Sequence, residues 1–344
     1  MAQVEPGASA GAATRAGYVA LVGPPNVGKS TLLNAFVGEK LSIVTPRPQT
    51  TRERVLGIWT EDGVQMVFVD TPGLLEPRYL LQEAMLRAAL AALEEADLIL
   101  LLLDATRPEE VPGPGPALEQ LRRRRASLFV AINKIDAARS PDVERLADWA
   151  RTAFGVEPFQ ISALTGAGVA ELREALVAAL PESPFLYPPD EIAAQPVRFF
   201  VAELVRETIF EEYREEIPYS TAVVIEEFRE AAEPVYIRAT IFVERESQKA
   251  ILIGQGGAGI RRLGQRAREK VEAFLGRRVY LDLWVKALPG WRRKAPALKR
   301  LGYEVPEPGR GAAGRGGRAG RGRGGRGGDP LGGARERGVE IDAG

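Results

Sequence analysis

The chain has 344 residues, enough for two domains with cores of their own. It contains no Cys and no His, which excludes disulfides, zinc fingers, thiol nucleophiles and imidazole bases. Lys+Arg and Asp+Glu are each 46, so the net charge is zero. The charges nevertheless segregate, acidic over Glu203 to Glu233 and basic over Arg261 to Arg300, so the balance does not exclude a nucleic-acid partner. Any catalysis must use carboxylates, Lys, hydroxyls, backbone amides or a hard metal ion held by oxygens.

The N-terminus, MAQVEPGASAGAATRAG, is small and polar without the apolar core of a secretory signal, and residues 1–16 read as a disordered tail. From Tyr18 to about Leu180, strand-like and helix-like runs alternate. YVALVG precedes KSTLLNAFVG. VLGIWT and VQMVFVD form two strands about a turn at Glu61–Gly63. YLLQEAMLRAALAALEEA is a long helix. LILLLLDA, SLFVAIN and PFQIS are further buried strands. The pattern predicts an α/β domain over 17–181 with a mostly parallel sheet, helices on both faces and a site at the strands' C-terminal ends. No apolar run is long enough to span a bilayer. PESPFLYPPDEIAAQP reads as a linker, 182–196. Residues 197–288 then run α-β-β-α-α-β. A basic segment, 289–304, follows, and 305–344 are low-complexity Arg/Gly, read as disordered.

GPPNVGKS, Gly23 to Ser30, lies between a predicted strand and a predicted helix, the context a phosphate-binding loop requires. Backbone amides over Gly23, Pro24, Pro25, Asn26, Val27 and Gly28, with the helix N-terminus at Lys29, Ser30 and Thr31, would cradle phosphates. Lys29 is placed to reach the β and γ phosphates and Ser30 to ligate Mg²⁺. This loop alone does not select a base. NKID does: the Asp136 carboxylate accepts two hydrogen bonds from guanine N1–H and N2–H₂, a donor pair adenine lacks. Asn133 and Lys134 would brace the loop and the base. DTPG (Asp70, Thr71, Pro72, Gly73) ends a strand, with Asp70 for Mg²⁺ and the Gly73 amide for the γ-phosphate. In QTTRE, Thr51 completes the Mg²⁺ shell in preference to Thr50. In ISA, Ser162 and Ala163 end the last strand, with the Ala163 amide for guanine O6. Each segment alone would be an ordinary loop; their order makes GTP the expected ligand, with Lys29, Thr51 and Gly73 carrying hydrolysis.

In the second block, Gly254-Gln255-Gly256-Gly257 forms a G-x-x-G between two predicted helices. Glycine there lets a nucleic-acid backbone lie against the chain, over a groove for about four single-stranded bases. Ile251, Ile253 and Ile260 would floor the groove, and Arg261, Arg262 and Arg266 would meet phosphates.

GPPNVGKSTLLN, TPRPQTTRERVLGI, DTPG, NKID and ISA, followed by this α-β-β-α-α-β order, resemble the Era family of bacterial GTPases, whose second domain is a type II KH domain. The resemblance covers about Gly17 to Tyr303. It implies GTP binding and hydrolysis, Mg²⁺, and binding of the 3′ end of 16S ribosomal RNA during assembly of the small (30S) subunit. It also implies a cytoplasmic, monomeric protein with transient contact to the inner face of the cell membrane. Three departures stand out: Pro24 where a charge is common, Gln255 where Lys is common, and a shorter segment after DTPG. Leu74 occupies the position at which Ras-type switches carry a water-orienting glutamine. An asparagine at the Asn26 position serves K⁺ binding in related GTPases, which makes K⁺ a further expected cofactor. Arg310, Arg315, Arg318, Arg321, Arg323 and Arg326 of the tail read as sequence-tolerant RNA contacts. Competing readings are a GTP-dependent regulator acting through protein or membrane contacts, a transfer-RNA-modifying GTPase, and an ATP-driven P-loop enzyme.

Overall fold

The computed structural model describes residues 14–305 apart from Pro46. The first elements are β1 (Arg15–Val22), α1 (Lys29–Val37), β2 (Val55–Glu61), β3 (Val64–Asp70), α2 (Leu80–Glu95), β4 (Leu98–Asp104), α3 (Pro116–Arg123), β5 (Leu128–Asn133), α4 (Ser140–Phe154), β6 (Phe159–Gln160) and α5 (Val169–Ala179). They build a six-stranded sheet in the order β2-β3-β1-β4-β5-β6. Only the β2–β3 hairpin is antiparallel.

The run LILLLLD explains the layering. In β4, Leu98, Leu100 and Leu102 join the core under α1 and α5, whereas Ile99, Leu101 and Leu103 join the core under α2, α3 and α4. A strand covered on both faces has no polar side to present, so it reads as a continuous apolar run. Each fully buried Leu or Ile contributes roughly 1.5–3 kcal/mol. Phe36 of α1 stacks on Phe68 of β3, with centroids 4.5 Å apart. The parallel strands bring the loops after Val22, Asp70, Asp104 and Asn133 to one end of the sheet.

The remaining elements are α6 (Val197–Glu212), α7 (Ile217–Ser220), β7 (Ala222–Arg229), β8 (Val235–Val243), α8 (Glu246–Ile253), α9 (Ala258–Leu275), β9 (Val279–Ala287) and α10 (Ala295–Arg300). The three-stranded sheet runs β7-β8-β9, antiparallel then parallel. Val205, Ile209, Ile241, Val243, Leu252, Leu263 and Ala267 form its core against α6, α8 and α9.

Four features differ from the sequence reading. The tail expected over 1–16 stops earlier, because Arg15 and Ala16 already pair with β3; residues 1–13 lie outside the described residues, as do the tail arginines from Arg310 to Arg326. The proline-rich stretch 182–196 is tied to the sheet: the Ile58 amide donates to the Ile192 carbonyl at 2.9 Å, and the Gln65 carboxamide oxygen accepts from the amides of Leu186 and Tyr187. Its prolines stop a helix without freeing the segment from edge pairing. The one-turn helix α7 was not anticipated. The basic segment 289–304 is a packing element: Trp291, Leu298, Leu301 and Tyr303 are buried with Leu81 and Met85 of α2 and Phe242 of β8. Its charges mark one face of a segment whose apolar residues carry the fold.

Candidate guanine-nucleotide site and RNA groove

A cavity of about 380 Å³ lies at the C-terminal ends of the strands. It is lined by Pro25, Asn26, Gly28, Lys29, Ser30, Thr31, Thr51, Thr71, Gly73 and Lys134 among the expected residues. Val44, Thr45, Gln49, Thr50 and Arg107 line it too, and sequence reasoning did not assign them. Arg107 follows β4 in a loop that carries no recognised motif, so only the folded sheet brings it to the pocket. A larger cavity of about 840 Å³ lies elsewhere, between α2 and the residues around Tyr303.

Lys29 opens α1 and is 6% exposed. Its Nζ donates to the Gly23 and Pro24 carbonyls at 3.1 and 2.8 Å, so the ammonium sits inside the loop. Burial lowers its pKa from 10.5 to about 8, against the pull of Asp70. Ser30 Oγ donates to Asp70 Oδ2 at 2.7 Å and lies 3.1 Å from Thr51 Oγ1, which itself donates to Asp70 Oδ2 at 3.3 Å. Three segments far apart in sequence thus converge on one carboxylate. Asp70 Oδ1 and the Ser42 hydroxyl, which lowers the Asp70 pKa, are both buried without a well-formed hydrogen bond among the described residues. Burial pushes the Asp70 carboxyl up, while the Ser30 hydrogen bond and the Lys29 charge pull it down. A buried carboxylate oxygen left unpaired beside two hydroxyls is costly on its own and suits a hard cation.

Asn133 and Lys134 brace the loop from behind. Asn133 Nδ2 donates to the Val27 carbonyl at 2.8 Å. Lys134 Nζ donates to the Asn26 carbonyl at 2.6 Å and pairs with Asp104 at 2.5 Å. Glycine at position 28 is required twice over: φ is +100°, and a Cβ there would lie 2.3 Å from Asn133 Nδ2. Gly73 packs directly on Pro25, and the Leu74 amide donates to the Gly23 carbonyl at 3.0 Å, which locks the DTPG loop to the phosphate loop. Val27 is buried under this junction, and Pro72 is buried beside Gly73.

Some expected roles change. The Ala163 amide, expected to await guanine O6, donates to Asn133 Oδ1 at 2.9 Å. Asn133 needs an acceptor and a donor to span two loops, and the buried Ala163 amide is the donor in reach. Ser162 is fully buried, and its hydroxyl accepts from the Thr165 amide at 3.1 Å, so it shapes the loop. The Thr71 hydroxyl is spent on the Leu21 carbonyl at 2.7 Å. Asp136 is exposed in the turn after β5 and does not line the cavity.

At the other end of the chain, Gly254 to Gly257 join α8 to α9. Gly254 has φ +69°, and a Cβ on it would lie 2.7 Å from the Gly259 amide nitrogen. Gly259 itself lies against the Leu252 carbonyl. Sequence reasoning missed this second close approach, although a glycine in the first turn of a helix signals it. Gln255 and Gly256 are exposed, Ile251 is 53% exposed, and Ile253 is half-buried. Ile260 is half-buried against the core. Arg261 is exposed beside Gly257. Arg262 and Arg266 both pair with Glu212 of α6, Arg262 at 2.7 Å. The acidic face of α6 therefore serves inside the fold: Glu207 likewise takes Lys40 and Lys270 at 2.9 and 2.8 Å.

Comparison with known proteins agrees with both halves. The family described as a 50S ribosome-binding GTPase matches residues 18–134, and the KH domain family matches residues 216–292. The chain is 43% identical to GTPase Era of Carboxydothermus hydrogenoformans over 84% of its own length and 98% of that protein. It is 44% identical to GTPase Era of Thermotoga maritima, covering 81% and 94%. A crystal structure of Aquifex aeolicus Era bound to GDP·AlF₄⁻ superposes with a TM-score of 0.77 at 41% identity, over 84% of this chain and 99% of that one. A crystal structure of Era in complex with MgGDPNP and nucleotides 1506–1542 of 16S ribosomal RNA matches equally well. The chain therefore belongs to the Era family of GTPases, a P-loop domain that binds guanine nucleotide and hydrolyses GTP, followed by a KH domain.

Proposed function

We propose that the protein is a GTP-gated switch that binds 16S ribosomal RNA near its 3′ end and acts in assembly of the 30S subunit in the cytoplasm. The observation that carries this reading is the pairing, in one chain, of a P-loop pocket with a KH glycine turn, as in the relative held with nucleotides 1506–1542 of that RNA. In this reading the GTPase domain spans 17–181, extended back to Arg15 by the pairing of β1 with β3, and the KH domain spans 197–288.

The chemistry is in-line attack of water on the γ-phosphate, driven by positioning and charge stabilisation. Lys29 would leave the Gly23 and Pro24 carbonyls for the β and γ phosphates. Ser30, Thr51 and Asp70 would hold Mg²⁺: one carboxylate and two hydroxyls leave room for phosphate oxygens and the waters Mg²⁺ keeps. Bound there, the ion would neutralise charge developing on the phosphate oxygens. The Gly73 amide, fixed against Pro25, would meet the γ-phosphate. Asp136 would read guanine from the exposed turn once the base lies over Lys134. Leu74 offers no hydrogen bond to water, so backbone groups would orient it. K⁺ at Asn26 would supply further charge; equal turnover in K⁺ and Na⁺ buffers would remove it from the reading.

The decisive assay is binding of an oligonucleotide matching the 3′ end of 16S rRNA, with a GTP analogue, with GDP, and against a scrambled strand. Selective binding favoured by the analogue is expected. Equal binding of the scrambled strand, lost with salt, would leave only charge attraction and favour a protein or membrane partner.

A further inference from the structure

Thr51 and Arg52 are neighbours in the loop between α1 and β2, yet their side chains serve different halves of the molecule. Thr51 faces Ser30 and Asp70. Arg52, 6% exposed, enters the KH half. Its Nη1 donates to the Thr221 carbonyl at 2.5 Å, and its Nη2 donates to the carbonyls of Pro218 and Tyr219 at 3.0 and 3.1 Å. These carbonyls end α7, a helix of four residues. The last turn of any helix leaves carbonyls without intrahelical partners, and a planar guanidinium spans several of them at once. Trp291 completes the cap: its indole donates to the Ser220 carbonyl at 2.9 Å, and the Arg52 guanidinium lies 5.8 Å from its ring centroid. Arg52 makes no ion pair among the described residues, so these carbonyls and the Tyr303 hydroxyl are what offset its burial.

The same loop is held at two further points. The Thr50 carbonyl accepts from Arg206 of α6, which Glu203 fixes at 2.6 Å. Arg47 donates to the Tyr213 carbonyl, and the Tyr213 hydroxyl donates to the Leu252 carbonyl at 3.1 Å, two residues before Gly254. Gln49, between these points, has φ +61°, a conformation a non-glycine residue keeps only where its surroundings impose it.

We infer that Arg52 and Arg206 are positioning residues for GTP hydrolysis: through them α6 and α7 of the KH half hold the loop so that Thr51 faces Ser30 and Asp70. The inference rests on reading Thr51 as a ligand of Mg²⁺. Its physical basis is that Arg52 cannot withdraw from α7 without stranding a buried guanidinium and the Tyr219 and Thr221 carbonyls, while the Pro218 carbonyl keeps the Thr221 hydroxyl, so Thr51 and α7 move together. Linkage makes the effect reciprocal: what GTP does to the α6–α7 position, a ligand that shifts α6–α7 does to GTP affinity by the same factor.

The test uses the full chain as R52K, R52A, R206Q and T51A. GDP affinity and thermal melting report whether each variant folds. The informative readouts are GTP-analogue affinity relative to GDP, kcat, and hydrogen exchange of the backbone amides within 47–54, Pro48 having none, in the two nucleotide states. R52K and R206Q are expected to keep GDP affinity and to lose about tenfold in analogue affinity and in kcat, within the range of site-to-site couplings. Their 47–54 amides should exchange as fast with analogue as with GDP. T51A should show the same preference for GDP. If T51A behaves as wild type, the metal reading fails. If T51A loses analogue affinity while R52K, R52A and R206Q all keep it, the positioning role is overturned. Where R52A fails to fold, R52K and R206Q decide.

Discussion

The nucleotide pocket and the KH groove are built on opposite plans. The pocket is a closed network of buried polar atoms: Lys29, Asp70 and Asn133 are each 6% exposed or less, and every loop is bonded to another. The groove is an exposed glycine turn with half-buried isoleucines below it and arginines on its rim, two of them already paired with Glu212. A site that must hold a small, highly charged ligand in one geometry needs preorganised dipoles shielded from water. A site that accepts a flexible strand needs backbone access and stackable apolar surface.

Substitutions sharpen this contrast. The largest effect is expected from Gly256→Asp with Gly257→Asp, which place charge and bulk where the strand must lie. Specific RNA binding should disappear while GDP affinity stays within twofold of wild type, about the scatter of such measurements. Retained RNA affinity would show that the groove is elsewhere.

Lys29→Ala is next. Loss of a buried, charge-assisted donor to phosphate should cost on the order of 100-fold in GDP affinity, or about 3 kcal/mol, with RNA binding to the GDP form unchanged. Wild type carries its own control in pH. The Lys29 pKa falls from 10.5 to about 8 on folding. Its burial penalty is therefore fully present below pH 8 and is relieved as pH rises toward 10.5, so the nucleotide-free fold gains stability over that window. Nucleotide affinity moves the other way, because phosphates select the charged amine. Calorimetry across buffers should show proton uptake on GDP binding above pH 8; its absence would mean that Lys29 stays charged in the empty site.

Asp136→Ala should cost guanine nucleotides roughly 2–3 kcal/mol, for two charge-assisted hydrogen bonds at a partly solvated site, and should narrow the gap between GTP and ATP. Competition binding measures it, and an unchanged gap would show that another group reads the base. The smallest effect is expected from Glu212→Gln, which releases Arg262 and Arg266. RNA affinity should rise a few-fold at low salt, with the slope of log K against log salt steeper by about one. A flat response would mean that neither arginine reaches phosphate.

The two regions also differ in how far they could be read without coordinates. GPPNVGKS, DTPG and NKID sit at strand ends, and strand alternation alone brings strand ends together. The convergence of Ser30 and Asp70 therefore follows from motif order, whereas that of Thr51 depends on how its loop is held. What each backbone group does there did not follow. The Ala163 amide and the Thr71 hydroxyl are taken by Asn133 and Leu21, partners whose positions depend on how the loops pack. In the KH half, the G-x-x-G and the element order were legible, whereas the pairing of Glu212 with Arg262 and Arg266 was not, since it depends on how α6 crosses α9.

The sequence by itself determined the layered α/β domain, the α-β-β-α-α-β block, the phosphate loop and the glycine turn. Those features are local: apolar periodicity sets elements, and glycine, lysine and carboxylate at short spacing set what a loop can hold. Tertiary structure alone decided that Arg52 caps α7, that Arg206 holds Thr50, and that Trp291 and Tyr303 lie buried against α2. Those contacts join residues separated by 150 positions or more. A guanidinium in a sequence does not reveal whether its partner is water, a phosphate or the carbonyls of a distant helix; only the packing that removes the water makes that choice.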